Sequence, residues 1–211
     1  MIPKHVTSIG EYSFSKCQNL KSISFTPDSE LLSICPFAFY KSGIEKISIP
    51  KQIQQIEGYS FYQCKNLKEV NFDKDSSILS FDEYSFYQTA IESIFVPKTV
   101  RQIGDFAFYN CANLKDVAFD PQGDLQNIGK FAFCESGIEK LIVPQYVLKI
   151  EEFTFANCVK LSSVHFDHDS RLYIIGQFAF CNTAIEKLIV PKGVQLIRMA
   201  AFYKDRQLKM L

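Results

Sequence analysis

The chain has 211 residues, with 23 Lys+Arg against 23 Asp+Glu, so its formal net charge is zero. A balanced charge exerts no long-range pull on phosphate or anionic lipid, which disfavours a general nucleic-acid binder. With 47% apolar and 22% charged residues the composition is that of a core-forming chain rather than a disordered one. No apolar run approaches the ~20 residues that cross a bilayer, and Met1-Ile2-Pro3-Lys4 opens no signal-peptide pattern. Twenty Phe and ten Tyr stand beside no Trp, an uneven aromatic load that points to one structural slot filled many times.

The first element, a turn at Pro3, recurs at Pro50, Pro97, Pro144 and Pro191, a step of 47 residues each time. Phe14, Phe61, Phe108, Phe155 and Phe202 keep that step, as do Cys17, Cys64, Cys111 and Cys158. A second Phe series, Phe39, Phe86, Phe133 and Phe180, interleaves with the first. The structural unit is therefore about half the period, in two alternating flavours, and about nine units of 22–25 residues fill residues 1–211 as a single domain. Within each unit the A-F-x-x-C stretch suits one short helical turn. The following L-x-x-I-x-F/V segment, as in Leu67, Val70 and Phe72, alternates at strand period. One short strand per ~23-residue unit predicts a leucine-rich-repeat solenoid, mainly β or α/β, whose parallel strands form a concave sheet. The chain starts just past one expected strand and stops inside another at Leu208–Leu211, so it reads as a fragment of a longer protein. Its uncapped ends are expected to fray or to self-associate end to end.

The strings IGDFAFYNCANLKDVAF, IGKFAFCESGIEKLIVP and VPKGVQLI resemble the BspA-like leucine-rich repeats, also called the Treponema pallidum type, from Ile2 to Leu211. The resemblance implies a leucine-rich-repeat solenoid and a non-catalytic role in protein binding or adhesion, often at a cell surface, as in bacterial, trichomonad and amoebic surface antigens. Its partner would be a host or extracellular matrix protein and its address the cell surface or the secreted fraction. The alternative is an intracellular leucine-rich-repeat scaffold for protein–protein interaction.

No catalytic, cofactor-binding or metal-ligating set emerges. Column cysteines two units apart would stand roughly 10 Å apart at strand spacing, beyond disulfide reach, and read as small buried residues closing a turn. Neither C-x-x-C, a P-loop nor H-E-x-x-H occurs. His5, His165 and His168 are not paired with a Ser or Cys as a relay; His165 falls on an outward strand position and reads as a contact residue. Acidic turns at Asp28, Asp73–Asp75, Asp120–Asp124 and Asp167–Asp169 suit backbone capping better than calcium. The invariant Phe, the residue two before it and the strand-end Phe are expected in the core. Tyr40, Tyr62, Tyr87, Tyr109 and Tyr203 form a flanking row that packs at the edge or offers a second contact surface.

Two outward columns cross the expected sheet. The first, Ser22, Lys46, Glu69, Ser93, Asp116, Lys140, Ser163 and Lys187, alternates opposite charges that favour cross-strand pairing. The second, Ser24, Ser48, Asn71, Phe95, Ala118, Ile142, His165 and Ile189, turns from polar to apolar along the chain. Phe95 fits no core column. The expected ligand surface is the patch of Phe95, Ile142, His165 and Ile189 flanked by Lys140 and Lys187.

Overall fold

The computed structural model describes residues 1–210. In chain order the strands are β1 (Ser8–Ile9), β2 (Ser22–Ile23), β3 (Ser33–Ile34), β4 (Lys46–Ile49), β5 (Gln55–Ile56) and β6 (Glu69–Phe72). Then come β7 (Ser80–Phe81), β8 (Ser93–Val96), β9 (Gln102–Ile103), β10 (Asp116–Phe119), β11 (Asn127–Ile128) and β12 (Lys140–Val143). The last third holds β13 (Lys149–Ile150), β14 (Ser163–Phe166), β15 (Ile174–Ile175), β16 (Lys187–Leu188), β17 (Leu196–Ile197) and β18 (Lys209–Met210). Two strands occur per unit where the pattern predicts one. The odd-numbered strands form a nine-stranded parallel sheet on one side of the solenoid. The even-numbered ones form a second parallel strip, hydrogen-bonded in three segments: β2-β4-β6, β8-β10 and β12-β14-β16-β18. Strands β6 and β8, and β10 and β12, lie side by side without a ladder between them.

The short-strand sheet escapes a period-two search because two residues show no alternation. Its inward residue is nonetheless a core column, from Ile9 through Ile34, Ile56 and Phe81 to Ile175. Phe81 occupies the Ile slot between Ile56 and Ile103 and meets Phe86 and Phe108 edge-on at 5.8 and 5.9 Å.

The third side of each unit corrects the expected helical turn, for no helix forms among the described residues. Its backbone alternates between two jobs. The N–H groups of Tyr59, Phe61 and Gln63 donate to the carbonyls of Glu83, Ser85 and Tyr87 one unit on, at 2.8–3.0 Å. Those of Ser60, Tyr62 and Cys64 close turns onto Glu57, Tyr59 and Phe61 at 3.1–3.2 Å. This alternation needs left-handed residues, and every unit has two, as at Tyr59 (φ 61°) and Gln63 (φ 57°). A left-handed non-glycine residue costs about 1–2 kcal/mol, so it persists only where its surroundings over-determine it. Here the inter-unit hydrogen bonds and aromatic stacking do so.

The invariant Phe residues form a continuous stacked ladder from Phe14 to Phe202, with ring centroids 5.0–5.6 Å apart. Phe39 to Phe180 are fully buried, each worth ~1.5–3 kcal/mol in burial plus ~0.5–1.5 kcal/mol per aromatic contact. The residue two before it is not core, contrary to expectation. Tyr59, Tyr84, Phe106, Phe131 and Phe153 are half-buried and stack in a second ladder at 4.6–4.7 Å. Their left-handed backbone points them outward, beside the Tyr62–Tyr87–Tyr109 row stacked at 4.5 and 5.2 Å.

All seven cysteines are free. The buried Cys64, Cys111 and Cys158 thiols donate to the carbonyls of Phe39, Phe86 and Phe133 at 2.8–3.2 Å. Each also meets a hydroxyl, of Ser42, Thr89 or Ser136, at 3.3–3.5 Å. Burial pushes the three thiols up to about 11. Cys17, which opens the column, is exposed instead.

Candidate functional site

Four-residue strands present two outward side chains each, so the even-numbered strip carries two lanes running across it. The register pairs Ser48 with Asn71, Phe95 with Ala118, and Ile142 with His165 in one lane. It pairs Lys46 with Glu69, Lys140 with Ser163, and Ser163 with Lys187 in the other. Phe95 is 45% exposed, Ile142 63% and Ile189 70%, values that set them apart from the inward neighbours Ile94 at 2% and Leu141 at 1%. Ile189 lies one residue past the end of β16.

Two hollows open on the C-terminal half of this strip. One, of about 600 Å³, is lined by Ala118, Lys140, Ile142 and His165, with Pro121 and Tyr146 at its wall. The other is lined by His165, Lys187, Ile189, His168 and Pro191. His165 belongs to both and joins them. Five of the six expected residues thus line two adjoining hollows, while Phe95 lines neither and stands beside them across Ala118. Tyr146 and Pro121 were missed by sequence reasoning because they belong to turns whose direction no periodicity gives. The Arg171 guanidinium sits 4.8 Å over the Tyr146 ring and holds it in place.

His165 Nε2 lies 2.9 Å from Ser163 Oγ. Residues i and i+2 of a strand share a face, so this contact was readable from the pattern. Among the described residues no hydrogen bond joins its Nδ1 to a carboxylate, so nothing orients the ring as a base. The expected cross-strand charge pairing also fails. Among the described residues the ion pairs are Lys4–Asp28, His5–Glu30, Lys21–Glu45, Lys130–Glu152 and His168–Asp169, none within the first lane. Lys46 and Glu69 point outward into water, where a pair gains little.

The acidic turns spend their carboxylates on their own backbone. Asp73, Asp120 and Asp167 accept from the N–H two residues on at 2.8–3.1 Å, while Ser29, Ser76 and Ser170 do the same at 3.3 Å. On the tyrosine flank burial pushes the Tyr109 phenol well above its ordinary value. Its hydroxyl donates to Glu135 at 2.9 Å, which pushes it further. These rings stack face to face and offer only edges to a partner.

A family model described as BspA type leucine rich repeat region matches residues 1–81 and 79–209. A leucine-rich repeat protein from Bacteroides ovatus is 26% identical with a TM-score of 0.84, over 97% of this chain and 52% of that one. This chain therefore spans about half the length of that relative. The Treponema pallidum leucine-rich repeat protein is 19% identical, TM-score 0.63, over 73% of this chain and 71% of its own. A leucine rich cell surface protein from Faecalibacterium prausnitzii is 19% identical, TM-score 0.52, over 99% and 71%. No curated protein matches the chain. No helix among the described residues is long and apolar enough to cross a membrane.

Proposed function

This chain belongs to the BspA-type leucine-rich-repeat family, and from that premise we propose that it is a non-catalytic protein-binding module acting in cell-surface attachment to host or extracellular matrix protein. The observation that supports this most is the lane of Phe95, Ile142 and Ile189, exposed on a strip whose corresponding N-terminal positions are Ser24, Ser48 and Asn71. An outward Phe or Ile contributes little to folding, whereas large apolar side chains are the usual anchors of an interface. His165 joins the two hollows as a contact residue, and Lys140 and Lys187 flank the lane, selecting for a partner with acidic character.

The test is Phe95→Ser combined with Ile142→Ser. Circular dichroism and the denaturation midpoint should stay near wild type, while binding to a panel of immobilised matrix proteins falls by roughly ten- to a hundredfold. Undiminished binding by the folded double variant would move the ligand surface to the tyrosine flank. Surface labelling of intact cells of the source organism tests the address.

A further inference from the structure

Resting on the reading that the Phe95–Ile142–Ile189 lane binds a protein, we propose the form of its partner: a polyproline-II segment with an apolar residue at every third position and acidic residues alongside. The spacing of the lane supports this first. Its large apolar residues stand on alternate strands, β8, β12 and the end of β16, separated by Ala118 and His165. At ~4.8 Å per strand they recur about every 9.6 Å. One turn of polyproline II takes three residues and advances ~9.3 Å, so positions i, i+3 and i+6 meet Phe95, Ile142 and Ile189 nearly in step. An extended β-strand repeats every ~6.7 Å and falls out of step at the second contact. An α-helix, ~10–12 Å wide, overhangs a strip whose two outward lanes are ~6.7 Å apart.

Charge supports it second. The lane beside the apolar one runs Lys140, Ser163, Lys187 and Lys209 over its last four strands, with no acidic residue between them. Among the described residues no carboxylate lies within 4 Å of these three lysines. Lys187 and Lys209 are register partners, like charges side by side that a partner's carboxylates would relieve. The wall of the hollow of about 600 Å³ supports it third, because Tyr146 gives the aromatic surface on which polyproline-II segments dock.

The probe is a fluorescein-labelled peptide of four Leu-Pro-Asp triplets, titrated by anisotropy against the whole chain. We expect saturable binding that weakens roughly tenfold with Ile142→Ser and with Lys140→Glu plus Lys187→Glu. The charge-reversed variant should instead favour Leu-Pro-Lys triplets. Equal affinity for flexible Leu-Gly-Asp triplets, or binding indifferent to Ile142→Ser, would overturn the proposal. Should Leu-Pro-Asp fail to bind while Phe95→Ser with Ile142→Ser still abolishes matrix-protein binding, the partner's form is wrong and the lane stands. Should neither the peptide bind nor the double variant lose adhesion, both readings fall.

Discussion

The two halves of the even-numbered strip share a backbone and a core but not a surface. Beneath it, Phe39, Phe61 and Phe86 in one half and Phe133, Phe155 and Phe180 in the other are all fully buried. Above it, the N-terminal half surrounds a polar hollow of Ser24, Lys46, Ser48, Glu69 and Asn71, while the C-terminal half exposes Phe95, Ile142 and Ile189. Stacked units constrain every inward position through packing density and leave outward positions free. A systematic change on the outward side over a constant inward side therefore reports on something other than folding. That is the reason for placing the ligand on one half and not along the whole strip.

The largest effects should ignore the difference between the halves. Phe61→Ala and Phe155→Ala remove matched, fully buried ladder members and should each cost ~3–5 kcal/mol. Phe202→Ala, half-buried at the end of the ladder, should cost clearly less. Urea midpoints measure all three. A large gap between the first two would mean that the halves differ in core as well as in face, and would weaken the argument from the surface.

The ladder was legible because Phe at a fixed period has one physical reading, a repeated core slot. The even-numbered strands were legible for the same reason, since Leu67, Val70 and Phe72 alternate with polar residues. The short strands were hidden by their length. The aromatic turn was misread because the apolar positions of A-F-x-x-C recur three or four apart, which suits a helix. Propensity cannot show that Tyr59 or Phe131 takes a left-handed backbone, a state dictated by hydrogen bonds to the next unit. At the candidate site the lanes followed from strand alternation alone. Tyr146 did not, because its place depends on where a turn folds back over the strip.

A middle-sized effect should separate the halves. Ser24→Ala, Ser48→Ala and Asn71→Ala together should leave matrix-protein binding within about twofold of wild type, because exposed polar residues at the rim carry little energy. Ile189→Ser alone should weaken the same binding by roughly tenfold while changing stability by less than ~0.5 kcal/mol. Loss of binding in the polar-half variant would spread the contact surface over both halves. Surface plasmon resonance on the same immobilised proteins reads both.

The smallest effect sits where the column of buried thiols changes chemistry. Cys64, Cys111 and Cys158 are followed in their column by Asp205, whose Oδ1 accepts from the Thr183 backbone N–H at 2.7 Å and from its hydroxyl at 3.0 Å. Its Oδ2 is buried without a partner. Burial pushes the carboxyl up to about 6, and the two Thr183 contacts oppose the shift without cancelling it. In the unfolded chain the same group titrates near ~3.9, so between these values the folded state holds the extra proton. Stability from this residue is therefore full below ~4 and lost as pH rises through the folded value, the reverse of a salt-bridged Asp. The site is partly open to solvent, so the loss should be only about 1 kcal/mol. Asp205→Asn, neutral throughout, should remove it. The wild-type urea midpoint relative to that of the variant should fall between pH ~4 and ~7. Cys64→Ala, in the other half, should show no such pH-dependent difference, because a thiol held at about 11 does not titrate there. A flat difference for Asp205→Asn across that range would mean that its carboxylate is hydrated in solution and that the last unit opens more readily than the stack beneath it.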